Sequence, residues 1–142
     1  MPAISINQPW AGLIVLGIKD IENRNWFTNY RGPAMIHAGL KIDRNAMMDV
    51  FNGRHPVTGE SMPAQQDLEL FRTGGIVGEA EIVDCVRHSD STWFVGAFGF
   101  VLANARMTPF RPCKGALNLF QPDFTSRYAE SKRRKPKAET AA

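Results

Sequence analysis

Between positions 17 and 24 the chain reads Gly-Ile-Lys-Asp-Ile-Glu-Asn-Arg, a charged run set between the apolar Ile14-Val15-Leu16 and the aromatic pair Trp26-Phe27. A glycine after an apolar run suits the C′ position of a helix, because it takes a positive φ at little cost and lets the chain reverse. An extended segment from Asp20 to Phe27 then puts Asp20, Glu22, Arg24 and Trp26 on one face and Ile21 on the other. Carboxylate and guanidinium become i, i+2 neighbours, an indole follows them, and Lys19 enters from the turn. On a solvated strand such a pair contributes little. On the floor of a cleft the same residues form a binding or catalytic cluster.

The flanking sequence predicts the elements that would hold this cluster. Ala3 to Ile6 reads as a strand, Asn7 is placed to cap a helix, and Pro9 sits near its first position, where a missing N–H costs nothing. Trp10, Leu13, Ile14 and Gly17 share one helical stripe, so Trp10 is either core or one wall of a pocket. Residues 29–33 read as a turn and Ala34 to Ala38 as a short buried strand, in which His37 is a satisfied core histidine. Asp43 caps a helix over Arg44 to Phe51, and residues 52–63 form a loop long enough to be a lid. Gln65 to Arg72 reads as a further helix. Ile76 to Val86 is the longest β-like run, with Glu79 and Glu81 together on its outer face as surface carboxylates. Ala97 to Ala103 reads as a strand, Arg106 to Gly115 as a proline-interrupted connection and Ala116 to Phe120 as a closing strand. Strands mixed with short helices, without βαβ alternation, argue for an α+β fold with a closed sheet of about five to six mixed strands.

The order Ile4-Ser5-Ile6-Asn7-Gln8-Pro9-Trp10-Ala11, the Gly-x-Lys-x-x-Glu-x-Arg run, Asn25-Trp26 and Tyr30-Arg31-Gly32-Pro33 leading to Met35-Ile36-His37-Ala38 resembles the ASCH (activating signal cointegrator homology) domain. The resemblance continues through Gly75-Ile76-Val77-Gly78, Trp93-Phe94-Val95-Gly96 and Gly99-Phe100-Val101-Leu102 to Lys114-Gly115-Ala116-Leu117. It implies a PUA-like β-barrel flanked by short helices, related to RNA-binding modules, with a cleft where the motif residues gather. It places the domain at residues 1–124 and leaves 125–142 as a basic, disordered tail.

Charge divides along the same line. Residues 1–124 carry eleven Lys/Arg against twelve Asp/Glu, hence −1, and residues 125–142 carry six Lys/Arg against two Glu, hence +4. The whole chain has 142 residues, 44% of them hydrophobic, which suits one domain with a core of its own. Cys85 and Cys113 match no zinc-ligand spacing and read as buried free thiols. No metal and no cofactor are expected. The longest apolar run is too short to span a bilayer and the N-terminus lacks a secretory pattern, so a cytoplasmic protein without a membrane partner is expected.

Two function classes follow. In the first, the domain binds RNA, another single-stranded nucleic acid or a modified nucleoside. Lys19, Arg24 and Arg31 supply cations, Glu22 accepts from a base amino group or orients Arg24, and Trp10, Trp26, Tyr30 or Trp93 offers a stacking surface. In the second, Lys19, Glu22 and Arg24 are the catalytic residues of a metal-independent hydrolase. One form is a ribonuclease, with Glu22 taking a 2′-hydroxyl proton while Lys19 and Arg24 stabilise charge on phosphorus. The other is implied by the resemblance: an amidohydrolase acting on N4-acetylcytidine, with Lys19 as activated amine, although those enzymes carry a hydroxyl residue where this chain has Glu22. A third reading is a protein-interaction domain of a transcription or translation coregulator. Oligomeric state is left open.

Overall fold

The computed structural model describes residues 1–125 and Tyr128, so the basic tail expected over 125–142 lies otherwise outside the described residues. The chain begins with β1 (Ala3–Gln8), in which Ile4 and Ile6 are buried as the alternation requires. Helix α1 (Trp10–Val15) follows, with Ala11 to Val15 all buried. Gln8, not Asn7, supplies its first-turn acceptor, its Oε1 accepting from Gly12 N at 2.9 Å. Gly17 ends the helix at φ +77°, and the N–H groups of Ile18 and Lys19 both return to the Leu13 carbonyl, at 3.1 and 3.0 Å. That reversal turns Lys19 back beneath the helix.

Strand β2 (Ile21–Arg24) is shorter than the Asp20–Phe27 segment expected. Its partner β5 (Phe98–Pro112) begins at Phe98, opposite Arg24, so the ladder ends there. Trp26 and Phe27 turn instead to set their rings edge-on to Phe100 and Phe98, with centroids 5.0 and 6.0 Å apart. Strand β3 (Gly32–Ile42) is longer than foreseen, and α2 (Arg44–Phe51) is capped by Asp43, which accepts from Ala46 N at 3.1 Å. No helix forms over 65–72. Gln8 Nε2 takes the Leu70 and Arg72 carbonyls, at 3.3 and 2.8 Å, and Asp67 binds Glu69 N at 3.0 Å, so the segment runs as tight turns. Strand β4 (Gly75–Val86) pairs with both β3 and β5. The expected connection over 106–115 is largely strand, because β5 continues to Pro112. Beyond Leu102 the other side of β5 faces no partner strand, and prolines are tolerated on such an edge. The closing strand is only β6 (Leu119–Phe120).

The six strands make one mixed sheet in the order β2-β5-β4-β3-β1-β6, with β1 and β3 parallel and the other pairs antiparallel. The α+β architecture with short helices is as expected. The sheet curls as a half-barrel, and among the described residues no ladder joins its edges β2 and β6. Helix α1 fills the concave side, where Leu13 and Ile14 are buried with Ile21, Ile36, Ile82 and Phe100. Glu79 and Glu81 lie on the outside, bound to Arg106 and Asn104. Among the described residues no helix is long and apolar enough to cross a membrane.

Helix α1 packs against the sheet at Gly78, where an added Cβ would stand 2.5 Å from Val15 Cγ1 and against the Arg106 carbonyl. Gly78→Ala is therefore expected to destabilise the fold by about 1–3 kcal/mol through overpacking. A lowered urea midpoint with unchanged m-value checks it.

Candidate functional site

Lys19, Glu22 and Arg24 meet at the open mouth of the half-barrel. The Gly17 turn delivers Lys19, and period-two alternation puts Glu22 and Arg24 on one face of β2. Lys19 Nζ lies 3.0 Å from Glu22 Oε1 and also donates to the Ile21 carbonyl. Arg24 Nη2 lies 2.9 Å from Glu22 Oε2 and donates to the Ser5 carbonyl of β1 at 2.7 Å. Both oxygens of Glu22 are thus held by cations, which keeps the carboxylate from moving to take a proton from a ligand. Lys19 is 3% exposed, with its ammonium 5.9 Å from the centre of the Trp10 ring. Arg24 retains more freedom. Its side chain is 22% exposed, Nη1 makes no hydrogen bond among the described residues, and the buried Nε has no partner.

Three linked hollows run along this mouth. One of about 200 Å³ is lined by Trp10, Lys19, Glu22, Asn23, Val57 and Val95. The next, about 250 Å³, shares Trp10, Glu22 and Asn23 and reaches Ser5 and Arg24. The third, about 640 Å³, runs from Ser5 and Arg24 past Trp26 to the 115–118 segment. A separate hollow of about 490 Å³ beside α2 is walled by Met47, Met48 and Phe51 and gathers none of these charged groups.

The ASCH-domain family matches residues 4–132. This chain belongs to it. Activating signal cointegrator 1 of Homo sapiens and of Mus musculus are each 30% identical to it over 84 residues. That stretch is 58% of this chain and 14% of either relative, so the likeness concerns a small part of those proteins.

Within this ASCH domain the candidate residues separate into two groups. Trp10, Lys19, Glu22, Arg24 and Trp26 all line the linked hollows. Tyr30, Arg31 and Trp93 do not. Tyr30 donates to the Pro33 carbonyl at 2.6 Å, and Arg31 donates to Thr28 and Tyr30 carbonyls and lies 3.7 Å from Asp84, so both tie down the turn into β3. Trp93 is 5% exposed and its ring is stacked by His55 at 3.8 Å. The 52–63 loop does reach the site, through Val57. Ser5, Asn23 and the 115–118 segment also line the hollows, which their residue types alone do not indicate, because each becomes a wall only through distant neighbours. Asn23 pins the 93–95 turn beside β2, donating to the Trp93 carbonyl and accepting from Val95 N, both at 2.9 Å.

His37 sits behind this wall and is satisfied, as foreseen. Its Nε2 donates to the Cys113 carbonyl and its Nδ1 accepts from Ser5 Oγ, each at 2.9 Å. Burial is the larger influence and pulls its pKa below 6.5, against the raising effect of the Cys113 bond. Burial likewise pushes the Cys113 thiol up, which keeps it from acting as a thiolate. Among the described residues no group of three or more His, Cys, Asp or Glu could hold a metal ion.

Two outcomes are expected here. Glu22→Gln leaves the buried Lys19 ammonium without its counter-charge and should cost about 3–5 kcal/mol, read from urea unfolding at neutral pH. As pH falls, the unfolded chain protonates His37 first, because the folded pKa is the lower. The stability contributed by neutral His37 is thus full above about pH 6.5 and lost as pH drops toward the folded pKa, at up to about 1.4 kcal/mol per pH unit. Unfolding at pH 7.5 and 5.5 should show a smaller difference in His37→Gln than in the parent.

Proposed function

We propose that this ASCH domain is a PUA-like module that binds an unpaired nucleotide of single-stranded RNA along the linked hollows. The observation that carries the reading is the convergence of Lys19, Glu22 and Arg24 between Trp10 on one side and Trp26 on the other. Glu22 holds Arg24 in place, and Nη1 remains to donate to a phosphate oxygen, the interaction for which a guanidinium is best shaped. A base stacked on either indole would contribute roughly 1–3 kcal/mol. A body of near-zero net charge with one net positive charge at the cluster suits a single splayed nucleotide better than a long duplex. The six basic residues within 125–142 add sequence-independent attraction that weakens with salt.

The test is fluorescence anisotropy with a short single-stranded RNA, comparing the parent with Arg24→Lys, which keeps the charge and loses the planar fork. Affinity, measured where both proteins are folded, should fall about tenfold, or about 1.4 kcal/mol. Equal affinity of the two proteins, or no binding by the parent, overturns the reading. RNA and N4-acetylcytidine recovered intact after incubation support binding alone; conversion of either would move the function to a hydrolase.

A further inference from the structure

We propose that Ser5 and His37 form a nucleophile–base pair that hydrolyses small carboxylic esters in the hollow between Arg24, Trp26 and Gly115. It shares Arg24, Trp26 and the hollows with the nucleotide-binding reading, but its readout, ester turnover, fails separately from RNA binding. The pair has the arrangement that activates a hydroxyl: Ser5 Oγ donates to His37 Nδ1 at 2.9 Å, and the other ring nitrogen is fixed by a buried carbonyl, that of Cys113, at 2.9 Å. That carbonyl can only accept, so Nε2 carries the proton and Nδ1 offers its lone pair to the serine. Burial, which keeps the imidazole neutral, supports the same role.

The nucleophile opens on the hollow, and its base meets it at Nδ1, the ring atom beside Ser5 Oγ. Ser5 is half-buried and lines both the 250 and the 640 Å³ hollows, whereas His37 is 2% exposed. Gly115 keeps the approach clear. A Cβ there would stand 2.9 Å from Ser5 Oγ and 2.8 Å from His37 Cε1. Arg24 is anchored on the same residue, Nη2 donating to the Ser5 carbonyl at 2.7 Å, and it lines the same two hollows as Ser5. Trp26 offers a flat wall, so an ester with a compact acyl group and a planar aromatic alcohol fits the lining.

In the reaction, Ser5 Oγ bonds to the ester carbonyl carbon as its proton passes to His37 Nδ1, and the carbonyl oxygen takes the negative charge facing Arg24. The carbon–oxygen bond to the alcohol then breaks, and the alcohol leaves with the proton from His37. Water, giving a proton to Nδ1, attacks the acyl-serine; the acid departs and Ser5 recovers its proton.

The experiment uses the full chain with a fluorophosphonate probe and with p-nitrophenyl acetate. We expect one equivalent of probe on Ser5, and saturable ester turnover that falls at least about a hundredfold in Ser5→Ala. Because that serine also bonds a core histidine, Gly115→Ala is the second variant. It keeps both partners but crowds Ser5 Oγ and the buried His37 ring, and it should lower turnover about tenfold or more at a temperature where circular dichroism shows the variant still folded. The rate should stay level as pH falls through 6.5 and decline only at lower pH. Probe on another residue, no probe at all, or turnover that survives Ser5→Ala overturns the proposal.

Discussion

A single carboxylate closes this fold. Glu22 accepts from Lys19 through one oxygen and from Arg24 through the other, and Arg24 then crosses to the Ser5 carbonyl on β1. Arg24 carries the link from β2, one edge of the sheet, to β1, which lies beside the other edge strand β6, and β2 and β1 share no ladder. Where a closed barrel would continue its strand hydrogen bonds, side chains span the gap. Each charge in that chain has a partner of opposite sign, which is what makes burial of Lys19 tolerable. A seam made of side chains is also porous. The hollows flanking Glu22 and Arg24 are the spaces that a backbone ladder would have filled.

The elements around the seam are firm, so the cluster is held rather than merely assembled. Helix α1 is pressed onto β4 where Gly78 has no side chain, and its first turn is tied by Gln8. The same Gln8 amide reaches across to the Leu70 and Arg72 carbonyls, binding the long 52–74 connection to the start of the helix. On the far side, Asn23 fastens the 93–95 turn and His55 stacks on Trp93, which brings Val57 and Val95 to the rim. A site built this way presents a fixed floor with walls from several chain segments. Recognition of a single planar ligand needs that geometry more than it needs net charge.

Much of the cluster was legible because its causes are local. A positive-φ glycine at 17 needs no distant partner to reverse the chain, and alternation alone brings Glu22 and Arg24 to one face. Asp43 likewise caps its helix from three residues away. The misread elements share a different cause. Strand β2 stops where β5 begins, β5 runs on through its prolines along an unpaired outer edge, and 65–72 runs as tight turns in which Asp67 takes Glu69 N.

The sequence by itself thus determined the identity of the family, the α+β class and the ammonium, carboxylate and guanidinium that meet at one turn and strand. These follow from spacing, backbone preference and side-chain chemistry within a dozen residues. Tertiary structure alone decided that Tyr30, Arg31 and Trp93 stay out of the hollows, that Ser5 and the 115–118 segment enter them, and that the sheet is bridged at its mouth by Arg24. Each of those depends on which surface arrives opposite, and partners tens of residues apart are chosen by packing, which no local pattern encodes.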